Sequence, residues 1–316
     1  MAKTRACKRT LTRNLRVSER AALGNLRNLR LSIALKKKYS VAVKRFFDFL
    51  REHGFETPSE ADLLDERLCN FLESLWEEGH PKTWASDCLS GLAKLCPYAK
   101  GSFPLAWTYF DTWRKHELPE RAAPVSLALL KALAAYSLIV DKNFEFSLSM
   151  IVSFHCLLRI GECLGLKAGD VVFGSSTAML NLGYTKGGKR RGEKEFVEAS
   201  DSVVIQCLHW LCEGKDPGEQ LFTLKYQSFR SELQLLLGNF QLNNFNFKSH
   251  SFRRGGTTYE FADHGSYDVI CQRGRNARTA RLYISEAVEM HQALAYSKKT
   301  VSMLKRHGRA FESFFG

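Results

Sequence analysis

The sequence predicts a mainly α-helical protein with one small antiparallel β-sheet, arranged as two domains. Three observations carry that expectation. Apolar residues recur at three- and four-residue steps along most of the chain, the period of an amphipathic helix. One stretch, residues 171–197, breaks that period with three short strand-like runs, the last two joined by a glycine turn. The length of 316 residues sets a prior of about two domains, and 45% hydrophobic residues are enough to fill two cores.

Tyr39, Val43, Phe46, Phe47 and Leu50 form the apolar stripe of a helix that starts near Leu31 and stops at His53-Gly54. Leu63, Leu64, Leu68, Phe71, Leu72 and Leu75 mark a second, over about 59–78, broken by Gly79-His80-Pro81. A third spans about 82–95 and a fourth about 105–116, so residues 31–118 read as a small helical bundle. Residues 119–125, with Pro119 and Pro124, are the linker, and residues 126–316 form the second domain. Ser126 is an N-cap for a helix to about Leu138, and an apolar helix is expected over 145–158. Three short strands come next, at 171–173, 178–184 and 195–197, the last two joined by Lys186-Gly187-Gly188-Lys189. Helices return at about 201–213, 227–238, 251–262, 266–273 and 286–304.

Charge is distributed unevenly. The net charge is +13, and residues 1–51 alone hold 15 Lys and Arg against Glu19 and Asp48. The excess is therefore an N-terminal property, while residues 52–78 carry nine acids and one base, Arg67. A basic arm over residues 1–30 suits contact with a nucleic acid. The same composition suits an organelle transit peptide, and Lys36-Lys37-Lys38 suits a nuclear-import signal. Residues 1–30 lack the apolar run of a secretory signal, and no run of about 18 apolar residues offers a membrane span. The nine cysteines are scattered without a C-x-x-C pair, so buried thiols are expected and neither a disulfide framework nor a zinc module. The expected address is inside the cell: the nucleus of a eukaryote, or the cytoplasm and nucleoid of a prokaryote.

Five local features bear chemistry. Arg159 closes the apolar run 145–158, with Glu162 three residues on. The glycine turn carries Lys186, Lys189, Arg190 and Arg191. His250 and Arg253 stand in the string Ser249-His250-Ser251-Phe252-Arg253-Arg254-Gly255-Gly256, where the i, i+3 spacing lets both reach one anion from one helix face. Arg273, Arg275, Arg278 and Arg281 succeed one another without an acid between them, and Tyr283 lies two residues beyond. Singly, each has an ordinary reading as a cap, a solvated turn or a core residue.

In this order the five resemble the catalytic series of the tyrosine recombinases, the phage integrase family. The spacings agree, with 94 residues from Arg159 to Arg253 and 30 from Arg253 to Tyr283. The resemblance is strongest over 124–284 and looser over 31–118, which looks like the family's helical core-binding domain. It implies an α+β catalytic domain and a DNA strand-transfer enzyme working through a 3′-phosphotyrosine. Arg159 and Arg253 would chelate the phosphate oxygens, a geometry that two guanidiniums satisfy and Lys does not. His250 would donate or accept a proton, Tyr283 would be the nucleophile, and Lys186, or Lys189 in a shifted register, would protonate the leaving 5′ oxygen. Glu162 would orient its neighbours. Lys36, Lys37, Lys38, Lys44, Lys189, Arg190, Arg275 and Arg278 are candidate DNA contacts. No cofactor or metal is expected, the partner is double-stranded DNA, and a synaptic homotetramer with tail helices docked between protomers is implied.

One position departs from the pattern. Gly274 stands nine residues before Tyr283, where the family has His or Trp. That leaves room for a recombinase-derived protein that binds a site with weak or no cleavage. A type IB topoisomerase shares Arg, Lys and Tyr, but the separate helical domain and the H-x-x-R motif disfavour it. A purely structural helical protein would not combine all five features.

Overall fold

The computed structural model describes residues 13–99, 101–118, 120–185, 188, 192–274 and 296–315. The chain divides into two compact units, Met1–Glu120 and Arg121–Gly316. In the first, α1 (Arg13–Leu23) and α2 (Leu26–Leu29) precede α3 (Ile33–Glu52), α4 (Ala61–Glu77), α5 (Lys82–Leu95) and α6 (Pro104–His116). The described part of the basic arm is thus helical, and α1 buries none of its residues. Arg13, Arg16 and Arg20 lie at i, i+3 and i+7, on one face of it.

Helices α3 to α6 close a core of Phe46, Leu50, Leu68, Leu72, Leu89, Phe103 and Ala106. Their ends have local causes. Ser32 caps α3 by accepting from Leu35 N, and Pro104 opens α6, where a missing N–H costs nothing. The cap of α6 comes from another helix. Asp65, buried within the acidic stretch, accepts from Leu105 N at 2.9 Å and Ala106 N at 2.8 Å. One acid of that stretch is therefore structural. Asp65→Ala leaves two amides at a helix start unsatisfied, and hydrogen bonds to a charged group contribute about 1.5–3 kcal/mol each. The variant is expected to lose about 2 kcal/mol or more of stability, read as a lowered melting temperature of the helical unit; an unshifted melt contradicts the cap.

In the second unit α7 (Leu127–Ile139) and α8 (Phe144–His155) form the centre, and α8 is buried from Phe146 to Phe154. After the short α9 (Ile160–Cys163) come β1 (Val171–Phe173), β2 (Ala178–Gly183) and β3 (Glu195–Ala199), a meander in the order β1-β2-β3. Val171 pairs with Leu180, and Ala178 with Ala199, both antiparallel, with a bulge between Asn181 and Gly183. Beyond the sheet lie α10 (Ser202–Cys212), α11 (Tyr226–Asn239), α12 (Ser251–His264), α13 (Tyr267–Gly274) and α14 (Lys298–Phe315). The tail helix runs to Phe315 and packs on α7 of its own unit. Thr300 Oγ1 donates to Phe240 O at 3.0 Å, Lys131 pairs with Glu312 at 3.0 Å, and Phe311 is buried.

The eight described cysteines are free, and Cys69, Cys88, Cys156, Cys163 and Cys207 are buried. Burial pushes the thiols of Cys88 and Cys163 up to about 12, so these are protonated packing groups. No described helix is long and apolar enough to cross a membrane.

Candidate active site

The site begins where α8 stops. The apolar run continues to Leu158, so hydropathy extends the helix to that residue, but α8 ends at His155. The cause is Leu157, which adopts φ +50. This left-handed conformation costs a residue with a Cβ roughly 1–2 kcal/mol and normally falls to glycine. Complete burial of Leu157 and a bond from Leu158 N to Ser153 O at 3.0 Å hold the turn. It brings the chain out to Arg159, whose side chain is 47% exposed.

Glu162, one turn further along the chain, holds the arginines in place. Its Oε2 accepts from Arg159 N at 3.0 Å and its Oε1 from Arg159 Nη1 at 2.6 Å. The same carboxylate lies 3.7 Å from Arg253 Nη1, so it stands between the two guanidiniums. A shared carboxylate lowers their mutual repulsion and fixes their planes.

Arg253 arrives from α12, and glycine determines how closely that helix approaches. A Cβ on Gly255 would sit 1.9 Å from Val125 O, and one on Gly256 would sit 2.0 Å from Phe154 O. The Gly-Gly pair thus lets α12 lie directly on the backbone of the entry to α7 and of the end of α8. In that position Arg253 is 2% exposed and donates from Nη1 to Leu157 O at 2.7 Å and from Nη2 to Gly274 O. The strained Leu157 carbonyl is one of the groups that aim the guanidinium, an outlier placed at the site itself.

His250 is the residue from which α12 starts. Burial, then the fields of Arg253, Arg159 and Arg254, push its pKa down to about 4. The ring is neutral at pH 7 and so offers one donor and one acceptor. Two arginines, a bridging carboxylate and a neutral imidazole form a preorganised positive site, with Arg159 at its surface. It can hold an oxyanion and stabilise charge that builds on it.

Arg159, Glu162, His250 and Arg253 are thus brought together. Lys186, Lys189, Arg190, Arg275, Arg278 and Tyr283 lie outside the described residues. In the first unit Lys36, Lys37, Lys38 and Lys44 are exposed on α3. Lys37 and Lys44, seven residues apart, share one stripe. On the next stripe Lys38 pairs with Asp87 at 2.8 Å, and Arg45 stacks over Trp84 at 3.7 Å, both toward α5. Among the described residues no group of His, Cys, Asp and Glu side chains is placed to hold a metal ion.

No protein-family model matches the chain, and no curated protein matches it in sequence. Solved structures do match in shape. A Tn1549 transposon integrase, in complex with circular intermediate DNA, superposes with a TM-score of 0.57 over 82% of this chain and 99% of its own, at 14% identity. A second structure of that integrase with a circular intermediate gives 0.53 over 82% and 98%, at 11% identity. XerH, a site-specific recombinase bound to palindromic difH substrate in a post-cleavage complex, gives 0.50 over 73% and 69%, at 15% identity. This chain has the tyrosine-recombinase fold. On the tyrosine-recombinase fold, Gly274 ends α13 with its carbonyl on Arg253, and among the described residues a Cβ there would come near only Leu157 Cδ1, at 4.0 Å. The position that stands nine residues before Tyr283 therefore lies beside Arg253 through its backbone and carries no side chain.

Proposed function

We propose that the protein is a site-specific DNA recombinase that cuts and rejoins duplex DNA through a 3′-phosphotyrosine bond. The observation that carries this reading is the convergence of Arg159, Arg253 and neutral His250 around Glu162 on this fold. The Tyr283 hydroxyl attacks the scissile phosphorus, the P–O5′ bond breaks, and the phosphate stays joined to the 3′ end as a tyrosyl ester. Arg159 and Arg253 neutralise the non-bridging oxygens in the pentavalent transition state, a contribution of about 2.7–4 kcal/mol per donor. His250 accepts the tyrosyl proton or donates to the phosphate, and Lys186 or Lys189 supplies the proton to the leaving 5′ oxygen. Rejoining reverses the roles, with a 5′ hydroxyl of another strand as nucleophile. Lys36, Lys37, Lys38 and Lys44 on α3, with Lys189, Arg190, Arg275 and Arg278, supply phosphate contacts. Strand exchange takes two DNA sites and a homotetramer, at the cellular address of the DNA.

A second reading, a DNA-binding protein with weak or no cleavage, is favoured by Gly274. The ring that would meet the phosphate there is missing, and the Gly274 carbonyl takes a donor of Arg253. One experiment separates the two. Sites selected by the protein from a random duplex library are rebuilt as nicked suicide substrates, which lose the strand needed for religation. The recombinase reading expects a covalent protein–DNA adduct that survives denaturation. Salt-sensitive binding without an adduct on any selected site supports the second reading.

A further inference from the structure

Helix α12 holds the end of α13 at two adjacent residues. Arg253 donates to Gly274 O, and two turns later on the same face Glu260 accepts from Arg273. Glu260 is 7% exposed, and Arg273 also donates to His155 O at 3.4 Å. A single guanidinium therefore ties the last turn of α13 to α12 and to the end of α8, the turn that leads to Arg159. Of the residues of α13 only Ile270 and Gly274 are buried. The pair is partly buried, with the Arg273 side chain 24% exposed, so its contribution to stability is modest and its weight here is geometric. Beside it lies a polar cavity of about 180 Å³ lined by His155, Asp201, Asp263 and His264. His264 Nε2 is 3.6 Å from Glu260, and His155 Nδ1 is 3.4 Å from Asp201.

The chain leaves this clasp at Gly274, nine residues before Tyr283. We propose that Glu260 and Arg273 are a positioning pair for strand cleavage, fixing the point from which the tyrosine-bearing segment departs relative to Arg253 and Arg159. The inference rests on the recombinase reading. A displacement of about 1 Å at the reacting atoms costs about a hundredfold in rate, so a loosened anchor shows in the chemical step rather than in DNA binding.

The test uses the full-length protein and the variants Glu260→Gln, Arg273→Ala, Arg273→Lys and the charge swap Glu260→Arg with Arg273→Glu. Two quantities are read: amide hydrogen exchange of residues 267–274 in the free protein, and the single-turnover adduct rate at saturating DNA, with Kd measured separately. Glu260→Gln and Arg273→Ala are expected to speed exchange in α13 and to slow adduct formation at least tenfold, with Kd within about twofold. Arg273→Lys, which keeps the charge, and the swap are expected to recover part of the rate. Unchanged exchange in both single variants overturns the anchor. Faster exchange with an unchanged adduct rate, or a rate loss matched by lost DNA affinity, makes the pair merely structural. If the unaltered chain forms no adduct while the variants loosen α13, the recombinase reading fails and the positioning role falls with it.

Discussion

Gly256→Ala is expected to cripple the second unit although alanine is the better helix former. The intrinsic gain of about 1 kcal/mol for Gly→Ala in a helix is outweighed by contact. The new methyl would lie 2.0 Å from Phe154 O and 2.9 Å from Leu157 Cδ2, and the first of these is backbone that cannot rotate away. Helix α12 must back off α8 by an ångström or more. Overpacking of this kind costs about 1–3 kcal/mol or more. For a unit of this size that lowers the melting temperature by roughly 2–4 °C per kcal/mol. The functional loss is expected to be larger, because the same retreat pulls Arg253 from Leu157 O, and misplacement near 1 Å costs about a hundredfold in rate. Gly255→Ala, with its Cβ 1.9 Å from Val125 O, is expected to behave alike. Calorimetry and adduct trapping check both. Melting and cleavage at unaltered values would mean that α12 does not rest on these backbones.

The second large effect is at the arginines, and comparing them separates chemistry from stability. Arg253→Ala and Arg159→Ala are each expected to slow adduct formation by about 10²–10³, the loss of one preorganised donor to a transition-state oxyanion. Their stabilities are expected to diverge. Arg253 is 2% exposed, and its removal strands Leu157 O and leaves Glu162 with less compensation, a change of about 3–5 kcal/mol when a buried charged partner is lost. Arg159 is half exposed, and its pair with Glu162 contributes about 0–1 kcal/mol. Arg159→Ala is therefore expected to fold with nearly unchanged melting and still fail to cleave. Full cleavage by a folded Arg159→Ala protein would remove that side chain from the chemistry.

The positions of most helices are legible in the sequence because apolar period and punctuation agree. Gly79-Pro81 separates α4 from α5, Ser126 caps α7, and the short run 195–197 falls within the half-buried β3. The site is legible in part. Arg159, Glu162, His250 and Arg253 are visible as residue types at telling intervals, but nothing in one dimension shows that Glu162 bridges the arginines. The end of α8 is hidden because a leucine, and not a glycine, takes the left-handed turn, and its apolar side chain prolongs the hydrophobic run. Asp65 is concealed among eight other acids, since its cap is made to a helix 40 residues away. Glu260 carries no motif, and Arg273 stands out only as the first of a run of arginines; their pairing shows only in the packing of α13 on α12. The tail reaches Phe315 and not about 304 because Phe311 and Phe315, late in a basic run, are drawn onto the unit's hydrophobic core.

The central claim is that Tyr283 becomes covalently joined to DNA at a site built by Arg159 and Arg253. The direct measurement is adduct formation on nicked suicide duplexes by the unaltered chain and by Tyr283→Phe, with mass spectrometry of the nucleotide-linked peptide. The account predicts an adduct whose linked peptide contains Tyr283, and none from Tyr283→Phe at equal DNA occupancy. An adduct that persists in Tyr283→Phe, or a linkage mapped to another residue, would contradict it.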